Sequence, residues 1–125
     1  MNVVDSSGWL EYFAEGPNAR HFAPAVSVPA ELVVPTVTLY EVFKVVLREA
    51  GENAALQVAA ALQKGTVADL TPKLAITAGK LSLQLALPMA DAVILATARE
   101  HGATLWTGDI HFKKIPGVKY FPKRR

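Results

Sequence analysis

Residues 87–98 read LPMADAVILATA, a run in which Asp91 is the one charged residue among aliphatics and alanines. Leu87, Met89, Ala90, Ala92, Val93, Ile94, Leu95, Ala96 and Ala98 leave almost no face for solvent, so the spacing predicts a helix buried nearly all round. Such a helix belongs in the interior of a layered domain, packed against a sheet. A carboxylate at its mouth is costly to desolvate. One explanation is a helix cap, since Asp suits that position and a helix N-terminus favours negative charge. The other is that further acids converge on the same point.

The flanking sequence predicts the sheet. MNVV at residues 1–4, ELVVP at 31–35, TVADL at 66–70, ATLWTGD at 103–109 and VKYF at 118–121 are short strand-forming runs. Between them lie helical patterns. SSGWLEYFAEG closes at Gly16-Pro17, NARHFAPAV ends near Pro29, and TLYEVFKVVLREAG carries an apolar stripe at Leu39, Val42, Phe43, Val46 and Leu47 before Gly51. ENAALQVAAALQKG is an Ala-rich helix ending at Gly65. PKLAITAGKLSLQLAL starts after Thr71 with Pro72 in the first turn, and Pro88 breaks it from the Asp91 helix. Helices alternating with short buried strands predict an α/β domain with a parallel sheet covered on both faces. No repeat or linker divides residues 1–125, so a single domain is expected.

Composition narrows the class. The chain has 125 residues, 51% of them hydrophobic, and a formal charge of +2, enough apolar surface for a real core. It contains no cysteine, which excludes a disulfide framework, a thiolate metal site and a cysteine nucleophile. The N-terminus lacks the pattern of a signal peptide, and every apolar run is interrupted before the roughly 18–20 residues of a membrane span. A cytoplasmic domain is expected. The tail HFKKIPGVKYFPKRR holds Lys113, Lys114, Lys119, Lys123, Arg124 and Arg125 without an acid. It is either a solvated terminus or a surface for an anionic polymer.

In parallel α/β sheets, functional groups collect where strands end and the following helices begin. Four acids fall at such positions: Asp5 after the first strand, Glu41 in the first turn of the helix after Pro35, Asp91, and Asp109 after TLWT. Each has an ordinary local explanation. Asp5 and Asp91 suit helix caps, Thr38-Leu39-Tyr40-Glu41 fits a capping box, and Asp109 suits a turn. Together they suggest a cluster whose mutual repulsion needs a cation. Oxygen ligands of this kind suit Mg²⁺ or Mn²⁺, and no HExxH or Cys/His cluster competes.

These stretches resemble the PIN-domain ribonucleases, and among them the VapC-type toxins of type II toxin–antitoxin pairs. VVDSS, TLYEVFKVV, LPMADAVILATAREHGATLWTGD and TGDIHF occur in the family's order and extend over essentially the whole chain. The resemblance implies a PIN-like α/β/α sandwich and a Mg²⁺- or Mn²⁺-dependent endoribonuclease. Asp5, Glu41, Asp91 and Asp109 would be its metal-binding and catalytic acids, with Ser6 and Thr107 orienting carboxylates and waters. It also implies an RNA substrate, a cognate antitoxin as inhibitor, and a homodimer. One departure stands out: many relatives carry another acid two residues after the one matching Asp109, where this chain has His111. His111 is either an RNA contact or a bystander, and with nothing in the sequence to fix its geometry the bystander reading is preferred. Lys113 and Lys114 are either RNA contacts or solvated loop lysines.

Two other classes remain. A non-catalytic module whose acidic pocket receives a basic partner peptide would not need a metal. A phosphoacceptor receiver domain would use Asp69, in TVADL, and would leave Glu41 and Asp109 without a role. A dinucleotide-binding fold lacks its GxGxxG after the first strand.

Overall fold

The computed structural model describes residues 1–124; Arg125, the last cation of the tail, lies outside them. Five short strands form, β1 (Asn2–Val4), β2 (Val33–Pro35), β3 (Thr66–Ala68), β4 (Thr104–Thr107) and β5 (Val118–Tyr120). The six α-helices are α1 (Ser6–Phe13), α2 (Ala19–Val26), α3 (Thr36–Ala50), α4 (Glu52–Leu62), α5 (Pro72–Leu85) and α6 (Met89–Glu100). Every paired strand is parallel: β1 to β4, β4 to β5, and β2 to β3. A parallel bridge from Asn2 to Leu32 joins the two ladders, giving the order β3-β2-β1-β4-β5. Parallel pairing puts all the strand ends that precede α1, α3 and the turn after β4 on one edge.

The pleat sorts the core into two layers, because successive strand side chains point to opposite faces. Val3, Val33 and Leu105 pack with Leu74, Ala78, Leu81 and α6 on one side. Their neighbours Val4, Val34 and Trp106 pack with Trp9, Phe22, Val42 and Leu62 on the other. Helices α5 and α6 therefore cover one face and α1 to α4 the other. This is the expected α/β/α sandwich.

The α6 stretch behaves as its composition predicts, with Ala92 through Ala98 buried without interruption. Met89 departs from the expectation and stands 77% exposed on the first turn. The α3 stripe is only partly covered: Val42 is fully buried, whereas Leu47, near the helix end, is exposed. Both tryptophans are core residues, and Trp106 Nε1 donates to Asn2 Oδ1 at 2.9 Å. No single helix among the described residues is long and apolar enough to cross a membrane.

Close packing beneath α1 depends on Gly8. A Cβ there would stand 2.7 Å from Val4 Cγ1 and 2.8 Å from Phe22 Cε1, both on fully buried side chains. Gly8→Ala should destabilise the fold by about 1–3 kcal/mol through overpacking, measured as a shift of the urea midpoint at unchanged slope. An unchanged midpoint would refute this account of the α1–sheet contact.

Candidate metal centre

Asp5 follows β1 and caps α1. Its Oδ1 accepts from Gly8 N at 2.9 Å and from Ser7 Oγ at 2.7 Å, and its Oδ2 accepts from Thr107 Oγ1 at 2.5 Å. A carboxylate has about four acceptor sites, so these bonds hold the group rigidly and still leave capacity on Oδ2. Burial pushes the Asp5 carboxyl up from 3.8 to about 6, and the charge of Asp109 adds to the rise. The hydrogen bonds from Thr107, Ser7 and Gly8 oppose it without cancelling it.

Thr107 ends β4 and is fully buried. While its hydroxyl donates to Asp5, it accepts the Asp109 backbone N–H at 2.9 Å. One side chain thus ties the end of β1 to the turn after β4. Ser7 makes a second tie, accepting from Gly108 N at 3.1 Å. Ser6 turns the other way and donates to Glu41 Oε1 on α3 at 2.5 Å. The hydroxyls of Ser6 and Thr107 thus each donate to one of the four acids, Glu41 and Asp5 respectively.

The local readings of the acids fare unequally. Asp5 is a genuine helix cap, as is Asp109, whose side chain accepts from His111 N at 2.9 Å across the 3-10 turn Ile110–Phe112. Asp91 is not one. Helix α6 starts at Met89 with Pro88 in the cap position, which puts Asp91 third in the helix. Glu41 is not in a first turn, because α3 begins at Thr36, and no capping box forms: Thr38 lies inside the helix and Glu41 bonds Ser6 instead. Two of the four acids therefore have no capping role.

Asp91, Asp109 and His111 come together most tightly, each offering a ligand atom within 4.8 Å of the others. His111 Nδ1 stands 3.1 Å from Asp91 Oδ2 and 2.9 Å from Asp109 Oδ1. This corrects the reading of His111 as a bystander. Burial pushes Asp91 up to about 6, followed in weight by the charge of Asp109, with Glu41 adding and His111 opposing. Asp5 and Glu41 lie outside this compact trio but reach it electrostatically, Asp5 through Asp109 and Glu41 through Asp91. Carboxylates raised by burial and by one another are the donor set that a hard divalent cation relieves, so the residues fit such an ion. Asp69 is exposed beyond β3, an outer strand of the sheet, and is not a member of the Asp91, Asp109 and His111 trio.

The family profile described as PIN domain matches residues 3–118. This chain belongs to the PIN-domain family. Its fold also matches solved structures at low sequence identity. A toxin–antitoxin complex from Klebsiella pneumoniae aligns with a TM-score of 0.81 and 22% identity, covering 95% of this chain and 96% of that one. VapC20 of Mycobacterium tuberculosis, a sarcin-ricin loop cleaving toxin, gives 0.77 and 21% over 93% and 95%. VapBC2 from Rickettsia felis, bound to a DNA fragment from its promoter, gives 0.73 and 18% over 97% of each chain. At such identities the likeness carries the fold. No curated protein sequence matches the chain.

Two residues of this PIN domain escaped the sequence reading. Ser7 was given no role in VVDSS, yet its hydroxyl donates to Asp5 Oδ1. His111 sits two residues after Asp109, and the 3-10 turn folds its imidazole over both acids. The available signal was the departure at that position from the pattern the resemblance implies.

Proposed function

We propose that this chain is a Mg²⁺- or Mn²⁺-dependent endoribonuclease, the toxin of a toxin–antitoxin pair inhibited by its cognate antitoxin. The observation that carries this reading is the convergence of Asp91 and Asp109, with Asp5 and Glu41 beside them, on the carboxyl edge of a PIN-domain sheet. The likeness to the Klebsiella toxin–antitoxin complex and to the Mycobacterium toxin supports the biological role.

Asp91, Asp109 and Asp5 would hold the cation, and Glu41 would complete the cluster. When bound, the ion lowers the pKa of a water and offsets charge developing on the phosphate. The protein's part is positioning. Thr107 and Ser7 keep Asp5 in one orientation, which matters because displaced ligands lose affinity and rate. Ser6 occupies one Glu41 oxygen, leaving the other to accept from the attacking water. Grooves open on both sides of the Ile110–Phe112 turn. One is lined by His111, Lys113 and Lys114, the other by Asp109, Lys123 and Arg124. Lysine and arginine there would hold RNA phosphates as the strand crosses the acids.

In this reading the chain is one PIN-like domain over residues 1–125, works in the cytoplasm and pairs as a homodimer. Protein purified away from any partner should cleave RNA in Mg²⁺ or Mn²⁺, stop in EDTA, and resume when Mn²⁺ is restored. Asp91→Asn should remove cleavage while retaining the circular dichroism spectrum of the parent. Cleavage that persists in EDTA, or full activity in Asp91→Asn, would sink the proposal. Mn²⁺ binding also separates it from a pocket that only receives a basic peptide.

A further inference from the structure

We infer that His111 is a direct nitrogen ligand of the cation and biases this centre toward imidazole-binding transition ions such as Mn²⁺ over Mg²⁺. The inference rests on the metal-centre reading above and deepens it.

Its geometric basis lies in the two His111 distances. Ligand atoms about 2.1 Å from an octahedral ion and at right angles around it stand roughly 3.0 Å apart. His111 Nδ1 lies 2.9 Å from Asp109 Oδ1 and 3.1 Å from Asp91 Oδ2. The imidazole therefore has the spacing of a ligand adjacent to both carboxylates. A tetrahedral site would spread the same atoms to roughly 3.4 Å.

Local structure delivers the ring to that place. Asp109 caps the Ile110–Phe112 turn by accepting the His111 N–H, and buried Phe112 anchors the turn in the core. The His111 side chain itself is half exposed, so it is held by the turn and the acids rather than by packing. Chemistry then gives the preference. Carboxylates and water suit Mg²⁺ and Mn²⁺ alike, whereas an imidazole adds affinity for first-row transition ions and little for Mg²⁺.

The same spacing also suits a hydrogen-bonded imidazolium acting as counter-ion to the two acids, and the two arrangements predict opposite results. A ligand lost weakens metal binding; a competing cation lost strengthens it. Calorimetric titration with MnCl₂ and with MgCl₂ alone, without RNA, reads this directly. The wild-type chain should bind Mn²⁺ at least about tenfold more tightly than Mg²⁺. His111→Ala should weaken Mn²⁺ by about tenfold or more and Mg²⁺ by much less, narrowing the ratio. Pulsed electron paramagnetic resonance of the Mn²⁺-loaded wild-type chain should show nitrogen coupling that vanishes in His111→Ala. His111→Asp should restore affinity without the nitrogen signal and shift preference toward Mg²⁺.

Unchanged or tighter Mn²⁺ binding in His111→Ala, or no nitrogen coupling in the wild-type chain, would overturn the inference. A parallel titration of Asp91→Asn separates the two levels: if that variant bound Mn²⁺ as the wild type does, the metal centre itself would be misassigned. If only Asp91→Asn lost binding, the centre would stand and the histidine ligand would fall.

Discussion

Asp5→Asn is expected to lose RNA cleavage by about 10²–10³-fold or more and, in the absence of metal, to melt at a higher temperature than the parent. The two effects have one cause. A carboxylate buried among Thr107, Ser7 and the α1 N-terminus serves a cation well and is poorly tolerated without one. The folded chain keeps the Asp5 proton up to about pH 6, whereas its ordinary value is 3.8. Between those values the folded state binds more protons than the unfolded state, so stability falls as pH rises through that window. Above it the whole penalty stands, at most about 3 kcal/mol at 1.36 kcal/mol per pKa unit. The neutral amide of Asp5→Asn avoids that penalty.

Thermal unfolding in EDTA at about pH 5 and pH 7.5 checks this. The wild-type chain should be more stable at the lower pH, and Asp5→Asn should flatten the difference. Asp91, also raised to about 6, contributes in the same direction. Added Mn²⁺ should recover wild-type stability at pH 7.5, where the carboxylates are ionised and ready to bind. Equal stability at the two pH values in EDTA would refute the account of Asp5 as a charge held against its preference.

Phe112→Ala should have the largest effect on the fold itself. Phe112 is fully buried in the α5–α6 layer of the core, although it belongs to a three-residue 3-10 turn rather than to a strand or long helix. Removing its ring should cost about 3–5 kcal/mol, a large share of the roughly 5–15 kcal/mol that holds a typical domain. Urea denaturation measures it. Phe112→Leu, which keeps most of the apolar volume, should lose far less. Because the turn carries Asp109 on one side of Phe112 and His111 next to it, weaker Mn²⁺ binding by folded Phe112→Leu would show that the anchor also sets the ligands. A loss of unfolding free energy under about 1 kcal/mol in Phe112→Ala would show that the turn is held by other contacts.

Much of the architecture was legible because it is encoded locally. The short strand-forming runs NVV, VVP and TLWT, Pro72 after Thr71 and Pro88 before α6 act over a few residues, and each element formed near its expected place. Asp5 and Asp109 were placed for a related reason: each follows a strand, and in a parallel sheet chain position at a strand end predicts location at one edge. Where local patterns misled, a distant partner had won. The Thr38–Glu41 capping box failed because Ser6, 35 residues away, takes the Glu41 carboxylate, and because α3 starts earlier at Thr36. Asp91 looked like a cap because Asp favours that position, but Pro88 already sets the start of α6.

The sequence by itself determined the alternation of helices and strands, the buried character of α6, and the placement of Asp5, Asp91 and Asp109 near element starts. These follow from residue type and spacing within single elements. Only the tertiary structure decided which groups meet. Pairing of β1 beside β4 brings Thr107 onto Asp5 across 102 positions, and the turn anchored by Phe112 lays His111 over Asp91 and Asp109. No local pattern carries that information, because hydrogen bonds between side chains depend on strand order and register, which are settled when the two core layers close on the sheet.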